Sequence, residues 1–307
     1  MTVAPEQTSD PFDYAAVLSR LAHRHRDSGV ISLEGADRVA FLQGQLTQDV
    51  GTLATGHSRP TAGLTPKGKL LYFGSVVALP DRMLLLIPGS RRAAVAAHLS
   101  KYAVFQKVSI RDASEEFFRT ALYGPLAASI AAPAGGIRLP AEGELAGEIL
   151  APAPLRAELE GRLDEAGSIV VGPHTAEILR VEAGRPRFGQ DADESNLPDE
   201  VGLQSAISTT KGCYVGQEIV ARLRTYGRVN RRLVGFRFPK SAVPAGTAFP
   251  NPEKPDHELG RVTSAVISPR FGSIGLGFAF REIPEGAELA AAGRPDQCAV
   301  VAPLPFA

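Results

Sequence analysis

Lys211-Gly212-Cys213-Tyr214-Val215-Gly216-Gln217-Glu218 is the stretch best equipped for chemistry. It sets one of two cysteines beside a lysine and between glycines. Ile219, Val220 and Leu223 continue as a helical apolar stripe, so the spacing predicts Cys213 at a helix start. A thiol at a helix N-terminus next to a cation ionises more readily than a free one, because partial positive charge favours the thiolate. The plainer alternative is a small buried hydrophobe. The glycines and charges around Cys213 favour a functional site. The chain then turns basic. From Ile219 to Pro252 there is no Asp or Glu, while Arg222, Arg224, Arg228, Arg231, Arg232, Arg237 and Lys240 are present. Such a run can recruit a polyanion or the carboxylates of a small ligand. It can equally be a solvated strand face on which Arg blocks aggregation.

Other chemistries lack their parts. No Cys–Cys or His–Cys spacing suits zinc, and two thiols alone cannot hold an iron–sulfur cluster. The six histidines are scattered. Gly63 to Leu70 imitates a phosphate-binding loop, but Leu70 stands where a magnesium-binding hydroxyl is needed. Gly272 to Gly277 imitates a dinucleotide loop without a helix to receive a pyrophosphate. The formal net charge of zero gives no overall pull toward nucleic acid. No run is long and apolar enough for a membrane span. Residues 1–13 lack the basic start and apolar core of a signal peptide. Two distant cysteines make no disulfide framework, so a reducing cytoplasm is expected.

The positioning elements read as α+β. Strands are expected over 29–33, 70–79, 83–87, 104–111, 117–122 and 168–171. Helices are expected over 36–50 and 90–102, after Gly124, from Pro154, and from Gly172 onward. Residues 132–147 read as loop. Residues 185–199 form an aperiodic Pro/Gly/Asp-rich segment of a length that is usually functional or disordered. After Gly227 short alternating strands separated by Pro and Gly spell a small β-barrel or sandwich, with a boundary near 226–230.

The cysteine stretch, with Arg222 one turn on, resembles the signature of the YgfZ-type folate-binding proteins, relatives of the aminomethyltransferase (T-protein) of the glycine cleavage system. Phe41 to Val50 with Leu53 and Gly56 is similar to the N-terminal helix of that superfamily. Gly124-Pro125 with Ala127 resembles its middle Gly-Pro turn. Leu179 to Gly184, with Pro186, Gly189 and Asp191, resembles its Arg-x-Glu-x-Gly segment. The agreement runs in order from about residue 29 to 290. The resemblance implies two ferredoxin-like-related α+β units around a central hole that binds tetrahydrofolate, plus a C-terminal β-barrel. The corresponding division is 12–112, 113–172, 173–228 (helix, loop and cysteine motif packing on the core) and 229–307.

It also implies roles. Glu182 would receive the amide and amino edge of the pterin through paired hydrogen bonds. Arg222, Arg224 or Arg228 would neutralise the glutamate tail. Tyr214 and Phe188 would pack on the rings. Gln217 and Glu218 would orient or seal the site. Cys213 would be the working thiol, biased toward thiolate by Lys211, and iron–sulfur client proteins or assembly factors would be the partners. One departure stands out: Lys67-Gly68-Lys69-Leu70-Leu71-Tyr72 occupies the place of the aminomethyltransferases' Gly-Gly-Ile-x-Asp-Asp segment. Leu71 and Tyr72 cannot supply its carboxylate. The implied function is therefore a tetrahydrofolate-binding auxiliary protein for iron–sulfur cluster assembly or repair. A tetrahydrofolate-dependent aminomethyltransferase or demethylase ranks second, and an RNA-modification-linked protein third.

Overall fold

The computed structural model describes residues 11–141, 143, 145–225, 227 and 229–307, with side chains from Tyr14 onward except those of 255, 256 and 295. Helix α1 (Pro11–Ser19) leads into strand β1 (Ala22–His25). Next come β2 (Ser28–Glu34), α2 (Arg38–Gln45), β3 (Ser58–Leu64), β4 (Leu70–Ala78), β5 (Arg82–Pro88), α3 (Arg92–Tyr102) and β6 (Ser109–Asp112). Strands β2 to β6 form one antiparallel sheet in the order β3-β4-β5-β2-β6. Successive side chains of a strand point to opposite faces. On one face Ile31, Leu33, Tyr72, Val76 and Leu85 pack under α2 and α3 through Phe41, Leu42, Val95 and Leu99. The other face turns Phe73, Ser75, Val77 and Leu86 toward the second sheet.

That second sheet is built from β7 (Phe117–Tyr123), β8 (Ile137–Leu139), β9 (Gly147–Pro152), β10 (Ile169–Val170) and the early strand β1. Its order is β10-β1-β7-β9-β8, and its β1–β10 pair is parallel. Helix α4 (Arg156–Glu165) covers its outer face through Leu159 and Leu163. Helix α5 (Pro173–Glu182) carries the chain across to the long segment 183–216 and α6 (Gln217–Thr225). Then come β11 (Arg231–Arg237), β12 (Ala248–Asn251), β13 (Lys254–Ser268), β14 (Gly272–Phe280), β15 (Glu288–Ala291) and β16 (Arg294–Ala302). They run in the order β12-β13-β14-β11-β16-β15, and β12 lies beside β15, so the sheet curls into a nearly closed barrel. Val234, Phe236, Phe249, Val262, Leu289 and Ala299 fill it. Among the described residues no helix is long and apolar enough to cross a membrane.

The fold class read from the sequence stands, with local corrections. The helix expected over 36–50 ends at Gln45. Leu46 leaves it to bridge Gly63, and the Thr47 hydroxyl donates to the carbonyls of Ala62 and Ala206. Tertiary pairing here overrides a good helical period. The strand expected over 104–111 is shortened to β6, with Phe105 fully exposed in the turn before it. Strands β1, β3, β8, β9, β12 and β15 were not anticipated. Because β1 joins the second sheet, the segment 12–112 does not coincide with one sheet.

Candidate functional site

A cavity of about 600 Å³ lies between the two α+β sheets, closed on a third side by parts of 184–188 and 202–206. Its walls differ in chemistry. From the first sheet come Pro60, Phe73 and Ser75; from the second come Arg24, Arg26, Arg119 and Tyr123. Asp27, in the turn between β1 and β2, lines it as well. Phe188 meets Phe73 edge to face, with ring centres 5.7 Å apart, and the Arg91 guanidinium lies 5.0 Å above the Phe188 ring. Phe188 is held by the loop behind it. Asp191 is fully buried and accepts from Arg180, the Arg187 amide, Thr263 and Ser264, which ties this loop to α5 and the barrel. The aperiodic segment 185–199 is further held at its other end, where the Lys69 ammonium donates to the Ser195 carbonyl, the Leu70 amide donates to the Asn196 carbonyl, and Arg91 pairs with Glu194.

The cationic wall follows from strand alternation. Arg24 on β1 and Arg119 on β7 project from the same face, and the Arg26 amide bonds the Arg119 carbonyl. Arg119 donates to Glu148 at 2.8 Å, Arg26 approaches the same carboxylate at 3.5 Å, and the Arg119 and Glu148 side chains are buried. Burial opposes ionisation of Glu148, but the Arg119 and Arg26 charges outweigh it and hold its carboxyl below the ordinary 4.5. The unfolded chain takes up this proton near 4.5 and the folded chain only at lower pH. Unfolding is therefore proton-coupled between the two values. The stability from ionised Glu148 is intact above the ordinary value and is lost as pH falls through the folded one. Thermal melts from neutral to acidic pH should show this decline, and Glu148→Gln should flatten it. An unaltered slope in the variant would assign the acid sensitivity to other groups. The Arg119 Nε and Glu148 Oε1 atoms are buried without protein hydrogen-bond partners among the described residues. An orphaned polar atom of this kind costs about 1–3 kcal/mol.

None of residues 211–218 lines the cavity. The thiol of Cys213 is exposed. Helix α6 begins at Gln217, so Cys213 sits in the turn before the helix and not at its first residue. Gln217 instead caps the turn, its side-chain oxygen accepting from the Tyr214 amide at 3.1 Å. Lys211 also has a different role from the one expected. Its ammonium donates to the carbonyls of Gln43, Leu46 and Gln48 at 2.7–2.9 Å, capping the orphan carbonyls where α2 ends. Burial pushes this ammonium down to about 8, partly opposed by Asp49. Lys211 is thus a clamp between the loop and α2. The Val215 amide adds a bond to Gly44, and Gly216, in the left-handed region at φ 82°, packs where a Cβ would meet the Thr65 carbonyl at 2.5 Å.

Of the residues expected to hold a cofactor, Phe188 reaches the cavity. Glu182 does not line it: its carboxylate accepts from the Tyr14 hydroxyl at 2.8 Å and from the Ser268 hydroxyl at 2.5 Å, at the junction of α1, α5 and the barrel. Tyr214 is half-buried against the ammonium of Lys211, 5.2 Å from its ring centre, and neither it nor Gln217 lines the cavity. Arg222 is exposed on α6, and Arg224 pairs with Asp199 at 3.0 Å. Arg228 lies outside the described residues. Tyr72 is buried against Gly63 in the helix-covered layer, and β4 shows the cavity Phe73 and Ser75. Arg24, Arg26, Asp27 and Phe73 were missed. The signal for the first two was the alternation His23-Arg24-His25-Arg26, which a strand converts into a two-faced surface.

Comparisons with known proteins agree with this architecture. No family model matches the chain. It is 32% identical over 236 residues to the tRNA-modifying protein YgfZ of Edwardsiella ictaluri, covering 70% of each. It is 30% identical over 311 residues to an aminomethyltransferase of Thermosynechococcus vestitus, covering 91% of this chain and 82% of that one. The crystal structure of the glycine cleavage aminomethyltransferase T from Bartonella henselae superposes with a TM-score of 0.84 over 96% of this chain and 89% of that one; at 22% identity this shows a shared fold.

Proposed function

This chain belongs to the YgfZ-type proteins of the aminomethyltransferase superfamily, and from that premise we propose that it binds a reduced folate between its two sheets and uses Cys213 in the assembly or repair of iron–sulfur clusters. The cavity carries the folate reading. One wall is aromatic, the opposite wall is cationic, and a buried guanidinium atom on that wall lacks a partner. Phe73 and Phe188 are the surfaces for the flat pterin and benzoyl rings. Asp27, which lines the cavity, is the acceptor we assign to the pterin's amide and amino edge in place of Glu182. A bound folate would supply a one-carbon carrier nitrogen; this chain's residues hold and orient it.

The thiol reading rests on exposure and anchoring. Cys213 faces solvent on a loop fixed by Lys211 and Val215, so its sulfur is offered to a partner's cluster at a defined place. The cluster is cargo here, received from or delivered to another protein. Aminomethyl transfer is less favoured because β4 presents Phe73 and Ser75, not a carboxylate, to the cavity. Calorimetric titration with tetrahydrofolate is the direct test. Wild type should bind, and Phe188→Ala should weaken binding about tenfold, or ~1.4 kcal/mol. Asp27→Asn should weaken it further. No heat of binding, or variants indistinguishable from wild type, would remove the ligand from this cavity.

A further inference from the structure

We infer that the turn 102–107 and the outer face of α2 dock the protein whose cluster meets Cys213, and that this partner brings an apolar pocket rimmed by carboxylates; this rests on the thiol reading of Cys213. Phe105 is 99% exposed and Val104 72% exposed at the tip of the turn. The backbone behind them is tied down. The Gln106 amide donates to the Ala103 carbonyl, the Lys107 amide donates to the Asp37 carboxylate at 2.7 Å, and the Asp37 amide donates back to the Lys107 carbonyl at 3.2 Å. Tyr102 leans on His98, with ring centres 5.0 Å apart. An aromatic side chain held out in this way anchors an interface once a partner's pocket encloses it. Charge selects the partner. Residues 82–111 contain no Asp or Glu. Arg82, Arg91, Arg92 and Arg111 pair with acids elsewhere. Lys101 and Lys107, exposed on either side of the tip, form no ion pair among the described residues. Of the nearby acids, Asp37 is taken up by the Lys107 amide, and Asp81 pairs with Arg82 and acts on Arg38. Carboxylates on the partner complement the two free lysines.

Helix α2 joins this tip to the thiol. Asp37 at its start holds Lys107, and the Gly44 carbonyl near its end accepts from the Val215 amide. Seven helical steps set these contacts about 11 Å apart. Ala36 and Ala40 are exposed, and a Cβ on Gly44 would meet nothing within 4 Å. Spaced by four, they share one face, so this row puts no long side chain between Phe105 and Cys213. Asp49 and Glu218 belong to the thiol end, which confines the basic pull to the aromatic end. One protein covering both ends fits an ordinary footprint of about 800 Å² a side. At an anionic membrane two lysines contribute only about 1 kcal/mol each, short of stable anchoring. Phosphates of a nucleic acid would leave Phe105 and Val104 uncovered.

The test uses the full chain in cells lacking this protein and reads recovery of an iron–sulfur enzyme's activity. Val104→Ser/Phe105→Ser and Lys101→Glu/Lys107→Glu should each lower recovery at least about fivefold at equal protein level. The purified variants should keep wild-type affinity for tetrahydrofolate and the wild-type rate of Cys213 alkylation by iodoacetamide, because the changed positions are exposed and off the cavity. Phe105→p-benzoylphenylalanine should cross-link in cells to an iron–sulfur protein or assembly factor, and adding Lys101→Glu/Lys107→Glu should abolish that adduct. Full recovery with both double variants, while Cys213→Ala recovers nothing, would overturn the docking surface and leave the thiol reading intact. Full recovery with Cys213→Ala would overturn both. Cross-links to a second copy of this chain alone would overturn the proposed partner. So would wild-type binding to phosphatidylcholine–phosphatidylglycerol vesicles that Val104→Ser/Phe105→Ser abolishes. Should the serine variant not accumulate, the cross-link decides.

Discussion

Replacing Cys213 with alanine is expected to abolish support of iron–sulfur enzymes while leaving the fold and folate affinity unchanged. The side chain is exposed, so its removal leaves no cavity and no orphaned partner. Its loop is held elsewhere, by the three carbonyl bonds of Lys211 and by the Val215 amide. Loss of activity would therefore report the sulfur alone. The second cysteine is an internal control. Cys298 is 5% exposed within the barrel, so Cys298→Ala should cost some stability, about 1 kcal/mol, and no client activity. The measurement is recovery of an iron–sulfur enzyme's activity in cells lacking this protein. Full recovery with Cys213→Ala would take the thiol out of the mechanism.

The largest stability change is expected from Arg119→Met, at about 3–5 kcal/mol, because it leaves the Glu148 carboxylate buried without its principal partner. Arg26, 3.5 Å from that carboxylate, compensates in part and places the loss toward the lower end of the range. The double variant Arg119→Met/Glu148→Leu removes both charges and should recover most of the loss, since an apolar pair of similar volume is often neutral. Urea denaturation of the two variants distinguishes the cases. A double variant as unstable as the single one would mean that packing, not charge, sets the cost.

The two kinds of residue in the site differed in legibility. Local patterns that agree with tertiary structure were readable: the β4–β5 hairpin around Pro80-Asp81, α3, α5, and the switch to short strands after Gly227. Cys213 and its glycines stood out because their types are unusual in a short window. Phe188 was named for what an aromatic ring can pack on, and the structure sets it against Phe73 at the cavity. The arginine wall was hidden. Arg24 and Arg119 are nearly a hundred positions apart and meet through the pairing of Arg24 with Ala121, which no local signal announces. The surroundings of Glu182 have the same origin. A glutamate at the end of an amphipathic helix can face a cavity or a neighbouring hydroxyl, and Tyr14 and Ser268, both distant in sequence, decide it. Tyr72 and Phe73 differ by one residue and point to opposite faces, so a single step in register moves a position from core to cavity.

The placement of β1 has a consequence for synthesis. Ala22 pairs with Tyr123 and with Ile169, so β1 must wait for partners translated about a hundred residues later or more. The sheet from β2 to β6 can close as soon as Asp112 has been made. In that interval β1 has no strand neighbour and its backbone is left to water, and Arg24 and Arg26 put positive charge on a segment that could otherwise pair with another chain. The arginines that line the finished cavity thus carry charge on an unpaired strand before any cavity exists.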